Sequence, residues 1–176
     1  MDNYRLIPRI SPEELARRID EVASRINQDY EGKKLVTIGI LNGAFVFMAD
    51  LVRRLSVPLQ VDFVRLASYG SKTETSGSVR ITKDVELPLE GRHVLVVEDI
   101  VDTGTTLAWY LDRLRGRRPE SIKVCALVDK LERRQVDIPL EYVAVRLEKG
   151  FLVGYGLDFS EEHRNLPGIY EVQFTE

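Results

Sequence analysis

Apolar and polar positions along this chain change period several times, and the changes mark out its elements. Leu15, Ile19, Val22 and Ile26 recur at helical spacing behind Ser11-Pro12-Glu13-Glu14. That lead-in has the form of a capping box with proline at the first helical position, so residues 12–29 are expected to form an amphipathic helix. Its charged face, Arg17, Arg18 and Asp20 included, reads as solvated. Runs of aliphatic and β-branched residues then predict strands at 35–41, 59–68, 79–84, 93–98, 122–128 and 142–146. Helical patterns fall between them at 44–55 and 104–115. Strands alternating with helices imply right-handed crossovers and a mostly parallel, twisted sheet flanked by helices, an α/β fold. Residues 79–84 are the exception: only the polar stretch 71–78 separates them from 59–68, so they are expected to pair antiparallel as a flexible flap. Gly116-Arg117-Arg118-Pro119 closes the second central helix, and Leu166-Pro167-Gly168 turns into a short last strand. The chain is expected to be a single domain over 1–176, with a core of about 30–146 and a small hood from about 1–10 and 147–176.

Bulk properties narrow the function classes. With 25 Lys and Arg against 28 Asp and Glu, the net charge is −3, which gives no electrostatic case for nucleic acid or an anionic membrane. Accordingly the basic clusters Arg53-Arg54, Arg113-Arg115-Arg117-Arg118 and Arg133-Arg134 read as solvated helix ends. The longest apolar runs, 35–41 and 44–49, fall far short of the ~20 residues of a membrane span. Met1-Asp2-Asn3-Tyr4 lacks the basic and apolar regions of a signal peptide, so a cytoplasmic location is expected. Cys125 is the only cysteine and sits in an apolar strand, which excludes an internal disulfide and predicts a buried thiol. His93 and His163 lie far apart and make no zinc pattern.

One string carries most of the chemistry. Val94-Leu95-Val96-Val97 reads as a buried parallel strand, Glu98-Asp99 follow where it should end, and Asp102-Thr103-Gly104-Thr105-Thr106 make a turn into a helix marked by Leu107, Tyr110, Leu111 and Leu114. Acids at the carboxyl end of a strand, followed by small residues at a helix start, describe a site for a phosphorylated sugar. Helix N–H groups bind phosphate, and open α/β sheets bind ligands beyond their strand ends. Consecutive strand side chains point to opposite faces, so Glu98 and Asp99 can flank a ligand, gripping sugar hydroxyls or a magnesium ion. A cation between two carboxylates and a diphosphate is close to a requirement. Thr103, Thr105 and Thr106 offer hydroxyls, and Gly104 permits close backbone approach. Asp102 stands where a carboxylate could accept a proton.

The string Val96-Val97-Glu98-Asp99-Ile100-Val101-Asp102-Thr103-Gly104-Thr105-Thr106-Leu107 resembles the diphosphoribosyl-binding signature of the type I phosphoribosyltransferases. Its Glu-Asp pair is similar to that of the 6-oxopurine branch, the hypoxanthine-guanine phosphoribosyltransferases. Four further segments match that branch in order. Leu41-Asn42-Gly43-Ala44-Phe45 resembles the turn that binds pyrophosphate through backbone amides, with Asn42 where the branch often has lysine. Ser68-Tyr69 resembles the start of a mobile lid that would exclude water from an oxocarbenium-like sugar. Val128-Asp129-Lys130 places Lys130 where the resemblance implies contact with the oxygen at purine C6, rejecting adenine. In the segment 150–159, the resemblance implies that Phe151 stacks on the purine, that the Leu152 backbone meets its edge, and that Asp158 holds a second magnesium. Arg164 would then bind pyrophosphate. His163 is given no role.

The expected function is purine salvage: transfer of the 5-phosphoribosyl group of phosphoribosyl diphosphate to hypoxanthine or guanine, with Mg2+ as cofactor and Asp102 handling the ring proton. The resemblance also implies a homo-oligomer, dimer or tetramer. The alternatives are the same chemistry on xanthine or uracil, and a regulator that senses phosphoribosyl diphosphate and binds nucleic acid.

Overall fold

A computed structural model of the chain describes residues 3–69 and 78–175. Strand β1 (Tyr4–Ile10) is followed by helix α1 (Pro12–Asp29), strand β2 (Leu35–Leu41), helix α2 (Phe45–Val52), strand β3 (Leu59–Tyr69) and strand β4 (Ser78–Lys83). Then come β5 (His93–Val101), α3 (Thr105–Arg115), β6 (Ser121–Lys130), β7 (Tyr142–Leu147), β8 (Leu152–Val153) and β9 (Ile169–Phe174). Six strands form one sheet in the order β4-β3-β2-β5-β6-β7, parallel except for β4. The antiparallel β3–β4 pair is the hairpin expected from the short polar connection. Strands β1, β9 and β8 form a separate three-stranded antiparallel sheet.

The alternation of the strands sorts the core into two layers. Leu95 and Val97 of β5 face the layer packed by α1 and α2, with Leu15, Ile19, Phe47 and Leu51. Val94 and Val96 face the layer packed by α3, with Leu107, Tyr110, Leu111 and Leu114. Helix α1 starts where the capping box places it: Ser11 accepts from the Glu14 N–H at 3.2 Å. Cys125 is buried, and desolvation raises the pKa of its thiol.

Two elements differ from expectation. Helix α2 stops at Val52 rather than at 55, because the chain tightens into shorter-range bonds, Arg54 N–H to Leu51 O and Leu55 N–H to Val52 O. Strand β5 does not end at the acidic pair. It continues to Val101 because β6 runs alongside it, pairing Glu98 with Ala126 and Val101 with Asp129. On its other side, β2 pairs with β5 only as far as Gly39 with Val97, so the last residues of β5 stand beside a gap.

That gap is a topological switch point. The chain leaves β2 through α2 toward β3 on one side, and leaves β5 through α3 toward β6 on the other. Two turns, 41–44 and 102–104, therefore border one crevice at the carboxyl ends of the strands, the usual place for a ligand in such sheets.

Candidate active site

The turn after β5 is held from behind and open in front. Gly104 caps α3 with φ +82, a left-handed conformation that suits glycine, and supplies no side chain to occupy the helix N-terminus. A Cβ there would lie 2.7 Å from the Val136 carbonyl oxygen, which shows how closely residues 131–138 back the turn. The Thr103 carbonyl accepts from the N–H groups of Gln135 (2.9 Å) and Val136 (3.1 Å). With its carbonyls turned away, the turn can offer N–H groups to an anion. A cavity of about 140 Å3 opens here, lined by Glu98, Ile100, Val101, Asp102, Thr103, Gly104, Thr106 and Leu107. Thr105 is exposed beside it.

The facing turn, 41–44, contains a cis peptide bond between Leu41 and Asn42. Ala44 and Phe45 turn their N–H groups inward, to Ile40 O and Asn42 O, and Asn42 is exposed. Gly43 is needed for space: a Cβ there would fall 1.6 Å from Oδ2 of Asp99. On its other side the Gly43 carbonyl lies against Gly156, whose own Cβ would come within 2.1 Å of it. The turn is thus wedged between the end of β5 and the loop that carries Asp158 and Arg164.

Burial raises Glu98 well above the ordinary carboxyl value, and the neighbouring Asp99 charge raises it further. Burial also raises Asp99, against hydrogen bonds to Glu98 and to the Ile100 N–H and against the positive charge of Arg164. Two adjacent, desolvated carboxylates fit a hard, oxygen-liganded cation. Magnesium is commonly held by one or two carboxylates with substrate phosphates completing the shell. Among the described residues no three His, Cys, Asp or Glu side chains cluster closely enough to make a metal site alone. Asp158 is engaged elsewhere, with Arg164 at 2.9 Å and with the Glu161 N–H at 3.0 Å.

The raised Glu98 value gives a sign for stability. The folded protein holds a proton at a pH where the unfolded chain, near the ordinary 4.5, has lost it. Stability is therefore gained as pH falls through the raised value, and the gain is complete near 4.5. Without added metal, Glu98→Gln should raise the melting temperature at about pH 8, with an advantage that shrinks toward about pH 5. An advantage independent of pH across that range would show that Glu98 carries no such penalty.

At the end of β6, Lys130 is buried. Its ammonium lies 3.3 Å from Oδ2 of Asp102 and donates to Gly150 O at 3.4 Å. Asp102 Oδ1 is buried with no hydrogen-bond partner among the described residues. Next to the pair is a second cavity of about 460 Å3, bordered by Lys130, Arg133, Gly150, Phe151 and Glu171 among others. Phe151 is exposed, with its ring edge-on to Phe159 at 5.4 Å between centroids, and Leu152 is buried and pairs with Glu171. The structure thus brings Lys130, Asp102 and the 102–104 turn together, with Phe151 lining the adjoining cavity. Arg164 lies on the Asp99 side, donating to Gly156 O at 2.8 Å and paired with Asp158 and Glu161. Ser68 and Tyr69 end β3 by their backbone, while their side chains and residues 70–77 lie outside the described residues.

Two features are not visible in the sequence pattern. Arg134, expected to be half of a solvated cluster, is largely buried; its guanidinium donates to Asp102 O and Val101 O, both at 2.9 Å, and pairs with the buried Asp129. Its place just past the end of a central strand, at the same sheet edge as the other site residues, is the signal that could have found it. His163 also holds the fold together, since its Nε2 lies 2.6 Å from the Tyr4 hydroxyl and joins the 158–166 loop to β1.

Comparison with known proteins agrees with this geometry. The phosphoribosyl transferase domain family matches residues 11–160. A hypoxanthine phosphoribosyltransferase of Haemophilus influenzae is 43% identical, over 95% of this chain and 95% of that protein. A hypoxanthine-guanine phosphoribosyltransferase of Bacillus subtilis is 41% identical, over 91% of this chain and 89% of its own length. The crystal structure of a hypoxanthine-guanine phosphoribosyltransferase from Bacillus anthracis superposes with a TM-score of 0.90 at 40% identity, covering 97% of this chain and 100% of that one. Matches spanning nearly the whole of each partner place the chain in the phosphoribosyl transferase family, within its hypoxanthine-guanine branch.

Proposed function

We propose that the protein transfers the 5-phosphoribosyl group of phosphoribosyl diphosphate to a 6-oxopurine, hypoxanthine or guanine, and releases pyrophosphate, a purine-salvage reaction. The observation that carries this reading is the Lys130–Asp102 pair, which joins a phosphate-sized hollow to a larger cavity bordered by Phe151.

In this reading the turn 102–106, with Thr103, Gly104, Thr105 and Thr106, anchors the 5-phosphate and so fixes the position of the reacting sugar carbon. The bond between C1 and the diphosphate oxygen breaks, a purine ring nitrogen bonds to C1, and the proton on that ring leaves to Asp102. Lys130, freed from Asp102, donates to the oxygen at purine C6. Adenine presents an amine there and would set donor against donor. Phe151 stacks on the base and the Leu152 backbone meets its edge, while the β1-β9-β8 sheet serves as the hood. Asn42 and Gly43 supply the turn for pyrophosphate, and Arg164 adds a guanidinium as charge builds on the leaving group. A magnesium ion held by Glu98 and Asp99, with Asp158 near a second, would neutralise the diphosphate when bound. Ser68 and Tyr69 begin the lid. The same reading makes the protein a cytoplasmic homo-oligomer, the usual state in the family it resembles.

The test is turnover of phosphoribosyl diphosphate with hypoxanthine, guanine, xanthine, adenine and uracil in parallel, with and without a chelator. Turnover on hypoxanthine or guanine, abolished by chelation, is the expected result. Turnover confined to xanthine or uracil would shift the substrate. No turnover, with phosphoribosyl diphosphate still bound tightly, would make the protein a sensor rather than an enzyme.

A further inference from the structure

A turn that binds a phosphate dianion must point its N–H groups at the ligand and its carbonyl oxygens somewhere else. In this protein the carbonyls of three consecutive residues, Val101, Asp102 and Thr103, are all taken by one short segment. The Arg134 guanidinium covers the first two, at 2.9 Å each, through Nη2 and Nε respectively. The N–H groups of Gln135 and Val136 cover the third, at 2.9 and 3.1 Å. The guanidinium is itself aimed by the Asp129 carboxylate, and its Nη2 also lies 3.4 Å from the carbonyl of Lys130. Both partners of this ion pair are largely buried, with side-chain exposures of 16% and 9%.

From this we infer that Arg134 is a positioning residue: it straps the phosphate turn to the strand end that carries Lys130, and so fixes Asp102 and Lys130 relative to the phosphate seat. The inference rests on the reading of residues 102–106 as that seat. A single planar group does what separate bonds could not. Its fork spans two carbonyls and a carboxylate at once, so strand β6 and the turn cannot shift independently. Its positive charge, drawn to the carbonyl side of the turn, also leaves the N–H side as the face presented to an anion. Lysine, a point charge with no fork, cannot hold the three oxygens in one plane.

The test compares Arg134→Ala and Arg134→Lys with the wild type in steady-state kinetics and in calorimetric titration with ribose 5-phosphate. KM for phosphoribosyl diphosphate is expected to rise ~10- to 100-fold in Arg134→Ala, with purine KM changed by about twofold or less. Ribose 5-phosphate affinity should fall by a similar factor, and millimolar guanidinium ion should restore part of the activity where an alkylamine does not. Arg134→Lys should show the same KM rise at smaller melting loss, and it carries the test if the alanine variant does not fold. A lowered melting temperature with KM and ribose 5-phosphate affinity within about twofold of wild type would reduce Arg134 to a structural residue and overturn the inference. The titration does not need turnover. A wild type that binds ribose 5-phosphate but converts no base would sink the proposed reaction, and the variants' ribose 5-phosphate affinities would still decide the strap: a fall supports it, values within about twofold overturn it.

Discussion

Asp102→Asn is expected to leave phosphoribosyl diphosphate binding near the wild-type level and to lower turnover by ~10²-fold or more, the usual scale for removing a general acid or base. The substitution keeps the shape of the side chain and removes its capacity to take a proton. The geometry gives a reason to expect a chemical rather than a structural loss. Oδ1 of Asp102 is buried without a partner among the described residues, so one acceptor is left for a ligand. Oδ2 is engaged with Lys130 at 3.3 Å and lies 3.6 Å from the exposed Arg133. Some stability is also expected to go, about 1–3 kcal/mol, because Lys130 would keep its buried position and lose its anionic partner. Kinetics in Asp102→Asn, with a melting curve beside them, separate the two effects. Wild-type turnover in a folded variant would remove Asp102 from the mechanism.

The parts of the fold that sequence made legible were those set by local pattern. The capping box placed the start of α1, and the polar stretch between two β-branched runs announced the antiparallel β3–β4 pair. The strand–turn–helix unit that carries the acidic string was legible because it is contiguous in the chain: β5, the 102–104 turn and α3 follow one another. What stayed hidden depends on distant neighbours. Glu98 and Asp99 looked like the end of a strand, since two charges interrupt an apolar run. They are part of β5 because β6 supplies hydrogen-bond partners as far as Asp129. Arg134 looked solvated because an Arg-Arg pair in an acidic chain reads as a solvated helix end. It is buried because Val101 and Asp102 offer it carbonyls from another turn. The burial of Lys130 likewise comes from distant partners, Asp102 and Gly150. In each case the local signal was weak and the partner that decided the outcome lay far along the chain.

Gly43 shows the same dependence most sharply, and Gly43→Ala is expected to lose on the order of 10²-fold or more in kcat/KM, a displacement of about an ångström at the reacting centre being enough for that. Nothing in Leu41-Asn42-Gly43-Ala44 announces a contact with the acidic pair. Yet the new methyl would sit 1.6 Å from Oδ2 of Asp99 and 2.4 Å from its Cγ. Something must move, and the choices are few. The turn cannot retreat, because the Gly43 carbonyl is already pressed against Gly156. Asp99 is short and has Oδ1 held by the Ile100 N–H at 2.8 Å, so swinging its carboxylate aside breaks that bond. The carboxylate is the part able to yield, and with it goes one of the two oxygen donors proposed for the cation. The variant should therefore need more magnesium for half-maximal rate than the wild type, a readout that a purely structural loss would not move. A Gly43→Ala protein with wild-type kcat/KM and wild-type magnesium dependence would show that the position of the Asp99 carboxylate is immaterial to the reaction.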